Sequence, residues 1–413
     1  MSQDLSRSFR QITSIEYLFT NSCHHCKTVS HEALPMTQLH QSSETTHSNY
    51  SCNDWQLLLR GNVTEPGELC NILQLPLSVV SLEAAAVQPL NVTRDYLSRI
   101  EPGNPNDPLL LQVLPRQEEL ETVPGFSADP LDEASYLKPT LPAGHAHSQA
   151  EHPENENFSH KNICHLPMLQ KYPGRMLILA SDRCAAKCRF CFRRCFQKNK
   201  TKFHLVHRID RKHISFPTDF LKNNEEISDV REIILSGGDP LMLDDTELDA
   251  ILNYIKDLHP GNRVRLHTRM PVMLPERVTP QLVELLKNFH RDPIGGAVYV
   301  VLHVNHPNEL SDKVVNAVAL IIDAGIPVLC QTVLLRHVND RFETLYDLFD
   351  KLANSRIIPY YLHQLDRVQG AAHFSVPIAK GQVLVAKLAA ALPGYAVPRF
   401  VREVPGETKK MWL

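Results

Sequence analysis

From residue 176 to residue 392 the chain alternates short runs rich in Val, Ile and Leu with longer amphipathic windows. No other feature limits the fold as much. The runs at 176–181, 232–236, 264–268, 297–303, 327–334 and 358–365 are expected to be strands, and the windows at 246–258, 279–289, 309–324, 342–354 and 378–392 helices. Such βα repetition builds a parallel sheet with helices outside it. Six units are too few for a closed eight-stranded barrel and fit an open one. A doubly wound sheet has the same periodicity, and the pattern alone does not separate the two.

The flanking segments differ in character. Residues 1–53 are polar, without a sustained period, and read as a loosely ordered extension. Apolar residues recur at helical spacing within 54–137, a small helical region, and 138–165 is a polar insertion or linker. The segment 166–413 is left as the catalytic part. The N-terminus has no apolar core of a secretory signal, and no window approaches eighteen uninterrupted apolar residues. A cytoplasmic protein is expected, with no membrane and reduced thiols. With 43 Lys and Arg against 46 Asp and Glu, the net charge of −3 argues against a nucleic-acid partner.

Polar residues gather where the expected strands end: Ser236-Gly237-Gly238-Asp239, His267-Thr268-Arg269, His303 with Asn305 and His306, Gln331, and His363 with Asp366. In parallel βα barrels that rim carries the chemistry. Just after the first strand, Cys184, Cys188 and Cys191 stand in the spacing C-x3-C-x2-C. Thiolates so close together suit an iron–sulfur or zinc site. With Cys195 as a fourth ligand the site is a zinc site. With three ligands it is a 4Fe–4S cluster with one iron open. Cys23 and Cys26 look like half a metal knuckle, but no second pair follows at zinc-finger spacing, so no structural metal is expected there.

The segment CAAKCRFC resembles the signature of the radical S-adenosylmethionine (SAM) enzymes. YPGRMLIL, CFRR, SGGDPLM, HTRMPVMLPERVT, HVNHPNE, QTVLLRHVND and PYYLHQLDRVQGAAHF together resemble the lysine 2,3-aminomutase family. The last of these, with LPRQEEL and PGFSADPL, is most similar to the branch that makes β-lysine for elongation factor P. The resemblance runs from about residue 54 to the C-terminus, interrupted by the polar insertion. It implies an α/β fold, a partial (β/α)6 TIM-type barrel with an N-terminal helical region.

By that resemblance Cys184, Cys188 and Cys191 ligate the 4Fe–4S cluster, and Ser236, Gly237, Gly238, Asp239, His303 and Gln331 face SAM. Pyridoxal phosphate (PLP) would sit on Lys410 as a Schiff base, with Lys409 as competitor and Lys171, Tyr172 and Arg175 near its phosphate. Arg193 would bind the amino-acid carboxylate, and Asp366 and Glu403 the distal ammonium, which favours lysine over glutamate. The implied reaction is isomerisation of L-lysine to β-lysine by a SAM-derived radical 1,2-amino shift on a PLP aldimine. A reductant protein would feed the cluster, and a separate ligase would attach the product to elongation factor P. Two alternatives stay open: an aminomutase of free amino-acid metabolism acting on lysine or another amino acid, and a non-catalytic metal-binding scaffold.

Overall fold

The computed structural model describes residues 54–136, 167–195, 229–258, 261–292 and 296–413. The N-terminal extension with Cys23 and Cys26, and the whole of the polar insertion, lie outside them. All described residues fall within one compact unit, Asn49–Leu413.

One sheet organises that unit. Its strands are β1 (Met168–Tyr172), β2 (Arg175–Ser181), β3 (Glu232–Gly237), β4 (Arg263–Thr268), β5 (Val298–His303), β6 (Val328–Leu334), β7 (Ile358–Gln364), β8 (Arg399–Arg402) and β9 (Met411–Trp412). They lie in chain order, β2 to β8 parallel, with β1 and β9 antiparallel at the two edges. A doubly wound sheet reverses its strand order partway; this one never does. The order is that of a barrel whose edges stay unjoined.

The six expected strands are β2 to β7. A seventh parallel strand, β8, follows the last helix and was not expected. It has four residues with Arg at both ends, too short and too polar to signal itself. Helices α6 (Asp245–Leu258), α8 (Pro280–Arg291), α9 (Asp312–Asp323), α10 (Phe342–Asn354) and α11 (Ile378–Ala391) lie close to the expected windows, and α7 (Met270–Met273) is a single turn after β4. Thr279 sets the start of α8, its side chain accepting the Leu282 N–H.

The strands are two-sided. Val264 and Leu266 on β4, Val300 and Leu302 on β5, and Val328, Cys330 and Leu334 on β6 are buried. They share one apolar core with Leu248, Leu282, Val318, Leu345 and Leu388 of the helices. The alternate positions, including Arg265, His267, His303, Gln331, Val333 and His363, are only partly covered. The helices therefore pack on one face, and the other is a polar, half-open concave wall.

The N-terminal region contributes short helices α1 (Asp54–Arg60), α2 (Pro66–Ile72), α3 (Leu82–Val87), α4 (Arg94–Leu97) and α5 (Pro108–Leu111), whose Leu69, Leu97, Leu109 and Leu110 join that same core. Among the described residues no helix is long and apolar enough to cross a membrane.

Candidate active site

The cysteine loop follows β2, and two glycines fix where it starts. Gly237 takes φ +113°, a left-handed value open to glycine, and a Cβ there would lie 2.3 Å from Ser181 O. A Cβ on Gly238 would lie 2.3 Å from Arg183 O. The Gly238 N–H donates to Ser181 O and the Asp239 N–H to Arg183 O. The close approach at these glycines is to the chain entering the cysteine loop. Gly238→Ala is expected to cost about 1–3 kcal/mol by overpacking and to lower the iron bound per chain after reconstitution, with helical circular dichroism unchanged. Unaltered iron uptake would refute this.

Asp239 also has a structural task. One carboxylate oxygen accepts from Leu241 N and Thr268 Oγ1 and the other from Arg269 N and Met270 N, tying β3 to β4. Its donors are protein groups.

The loop itself is held from the N-terminal region. Asn91 Nδ2 donates to Cys184 O at 3.1 Å, Gln88 Nε2 to Cys188 O at 3.1 Å and Asn62 Nδ2 to Ala185 O at 2.8 Å. The Arg189 N–H donates to Gln112 O. Glu119, fully buried, takes Arg189 through both oxygens at 2.8 and 2.6 Å and also pairs with Arg194. Arg189 is thus a main anchor of the loop. Phe190 packs edge-on against His303 and Phe374. Cys195 packs beside a small apolar cluster with Phe190 and Leu335. Among the described residues no three His, Cys, Asp or Glu side chains converge as on a single ion.

Two residues beyond Cys191, Arg193 begins an unbroken run of ion pairs. Its Nε and Nη2 grip Glu133 at 2.7 and 2.9 Å, and Nη1 donates to Ser236 Oγ and Gly237 O. Glu133, 1% exposed, also pairs with Lys171 at 3.0 Å. Lys171 meets Glu403 at 2.9 Å, and Glu403 meets Lys410. The run is therefore Arg193–Glu133–Lys171–Glu403–Lys410. Lys409 is exposed. Glu403 is held well below the usual carboxylate range: burial opposes this, but the two lysines outweigh it. Burial, with Glu403 adding to it, pushes Tyr172 up. Arg175 stands apart, about half exposed, 4.0 Å from Glu232 and over the Tyr172 ring.

Asp366 lies near Glu403 and forms no ion pair among the described residues. Burial, then the neighbouring Glu403, pushes its pKa up to about 7. A cavity of about 490 Å³ is lined by Asp366, Glu403, Gln364, Leu131, Ser127 and Pro377. A larger one, about 620 Å³, is walled by the N-terminal region alone and includes none of these site residues. His267 and His363 are driven neutral, first by burial; Lys410 adds to it for both. Among the described residues their Nε2 atoms have no hydrogen-bond partner. His303 is likewise lowered, to about 3, and its Nε2 contacts Asn305 Oδ1 at 3.2 Å. Gln331 pairs with His303 across β5 and β6 and faces the open side.

Glu119, Glu133, Gln112 and Glu309 were not expected from the sequence, and Arg269 stood in the polar rim group without an assigned role. DPLDE and PRQEE do contain the two acids, but nothing local marks them.

An unclosed parallel barrel with a C-x3-C-x2-C loop after its first parallel strand defines a radical SAM enzyme. The Radical SAM superfamily model matches residues 178–349. The chain is 36% identical over 368 residues to L-lysine 2,3-aminomutase of Escherichia coli strain K12, covering 87% of this chain and 94% of that one. It is 34% identical over 360 residues to the Haemophilus influenzae L-lysine 2,3-aminomutase (86% and 94%) and 33% over 362 residues to that of Clostridium subterminale (87% and 77%). The chain belongs to the lysine 2,3-aminomutase family of radical SAM isomerases. That membership implies a 4Fe–4S cluster, SAM and PLP.

The residues present fit these groups. Three thiols on one anchored loop suit the cluster, and an amine beside two imidazoles with unpaired Nε2 atoms suits a polar aromatic aldehyde.

Proposed function

We propose that the chain converts L-lysine to β-lysine. The carrying observation is the set of charges at the site: a guanidinium at Arg193, an amine at Lys410, and at Asp366 a carboxyl with no ion pair among the described residues. An amino acid with an ammonium tail complements that set, and a tail carboxylate is repelled by it. When bound, the cluster and SAM supply the hydrogen-abstracting radical and PLP the electron sink for the amino shift.

In this reading Cys184, Cys188 and Cys191 hold the cluster, and His303 and Gln331 line the SAM side of the wall. Lys410 offers its amine to PLP. Glu403 holds that amine in place, and Lys171 and Tyr172 would donate to the PLP phosphate, with Arg175 further out. Arg193 orients the substrate carboxylate, and Glu133 sets the guanidinium plane. Because Glu403 already holds two lysines, Asp366 is the carboxyl left to meet the substrate's distal ammonium. Neutral His267 and His363 add no charge beside the reacting amine. A low-potential reductant protein would supply the electron.

The test is anaerobic reconstitution with iron, sulfide and PLP, followed by SAM, dithionite and lysine, with amino-acid analysis for β-lysine. Loss of SAM cleavage would accompany Cys184→Ala. Intact SAM cleavage without β-lysine would end the lysine reading.

The same assay carries a pH signature. Asp366 keeps its proton up to about pH 7 in the free enzyme, and the lysine side chain stays cationic until about pH 10. Pairing the two needs the carboxylate, so lysine affinity falls as pH drops below about 7. The loss approaches about tenfold per unit. Asp366→Asn raises KM and flattens the profile. A wild-type KM constant from pH 6 to 8 would contradict the assignment.

Supply of β-lysine to elongation factor P is supported by the PYYLHQLDRVQGAAHF and LPRQEEL segments. Its measurement is the mass of elongation factor P after incubation with this enzyme's product and a lysine ligase. An unmodified mass favours free amino-acid metabolism.

A further inference from the structure

Arg269 follows β4, and its placement is unusually complete. Its backbone N–H is fixed by Asp239 at 2.8 Å. Its side chain is buried, and Nη1 lies 2.7 Å from Cys188 Sγ. Nη2 reaches Gln112 Oε1 at 2.6 Å and the Glu309 carboxylate. The guanidinium also stands over the Phe190 and Tyr96 rings. Arg269 is thus a desolvated cation whose nearest sulfur belongs to the cysteine loop.

Glu309 is held as firmly. Oε1 takes Tyr96 Oη and Arg269, and Oε2 takes the N–H groups of Asn305 and His306. The carboxylate touches Arg269 from its Nη2 end, while Nη1 touches the thiol. The sulfur therefore meets the cation directly and the anion only behind it, so Arg269 outweighs Glu309 in what this pair contributes at Cys188.

We infer that Arg269 sets the reduction potential of the 4Fe–4S cluster, with Glu309 as its counterweight. The reductive step is the gain of one electron from an external low-potential donor, dithionite in the test, with no bond made or broken. It adds one negative charge beside a fixed guanidinium. In a dry pocket such a charge acts at close to full strength, and a donor to a cluster sulfur raises the potential in the same sense. Arg269 is in this sense a tuning residue, joined through Gln112 and Tyr96 to the N-terminal region.

The experiment needs no lysine, PLP or SAM. It rests on Cys188 being a cluster ligand, and the iron content of the reconstituted full chain checks that separately: if wild type takes up no iron, the cluster reading fails. With the cluster in place, the reduced-to-oxidised ratio is read by electron paramagnetic resonance in a mediated dithionite titration. Arg269→Gln is expected to lower that ratio at least tenfold at a fixed reductant potential, which is 59 mV for a one-electron couple. Arg269→Lys keeps the charge and recovers most of the loss. Glu309→Gln shifts the ratio severalfold the other way.

Mere damage to the site would move Arg269→Gln and Glu309→Gln in one direction, and that outcome overturns the inference, as does an unchanged ratio in Arg269→Gln with full iron. If Arg269→Gln binds no iron, Glu309→Gln and Arg269→Lys decide it. An upward shift in the first with a near-native ratio in the second supports the inference, and any other pair of results overturns it.

Discussion

Lys410→Ala is expected to abolish β-lysine formation, by a factor on the order of 10³ or more, and with it the visible absorbance of bound PLP. Lys409→Ala should leave both nearly unchanged. The two lysines are neighbours in sequence, but Lys410 sits partly buried against Glu403 while Lys409 is exposed. The difference is set by β9. Pairing of Val401 with Trp412 and Arg402 with Met411 pins the residue just before the strand. SAM cleavage without substrate should survive Lys410→Ala, since the cysteine loop hangs on other residues. If Lys409→Ala removes the PLP absorbance and Lys410→Ala does not, the assignment is reversed.

Glu119→Ala should be the most destabilising single change in the cysteine loop's support. Glu119 and Arg189 have fully buried side chains, and Arg194 is nearly so. One carboxylate there answers two guanidinium groups. Removing one member of a buried pair costs about 3–5 kcal/mol because the partner's charge is left uncompensated. Both Arg189 and Arg194 flank Cys191, so the loss should appear as a lower urea midpoint in the iron-free chain and as poor iron uptake. Glu119→Gln keeps the shape but not the charge and should recover only part of the stability. An unchanged midpoint in Glu119→Ala would mean the arginines find other partners.

The barrel strands were legible because their helix-facing positions carry Val, Leu and Ile at close intervals, as in Val298-Tyr-Val-Val-Leu-His303. The cysteines were legible because their ligand spacing is local. The supports were not, since each is a meeting of distant residues. Arg193 and Glu133 are 60 positions apart, Arg189 and Glu119 are 70, and Arg269 and Gln112 are 157. Periodicity over a window of a dozen residues has no access to such pairs. The same holds for the N-terminal region, which read as a small helical preface yet supplies Asn62, Gln88, Asn91, Gln112 and Glu119 to the cysteine loop. Arg193 and Glu403, expected to bind the substrate, already pair with Glu133, Lys171 and Lys410, which changes which groups remain for a substrate.

The two-sided strands separate two kinds of inheritance within a single stretch of chain. On β4, Leu266 belongs to the load shared with the helices, and shortening it to Ala would cost about 2–5 kcal/mol. Its neighbours Arg265 and His267 face the open side and bear little of that load. A laboratory library varied only at such positions, on β4 to β7, would sample new substrates on an unaltered scaffold. The same parity gives natural drift a route by which relatives of this chain can change what they hold without relearning how to fold.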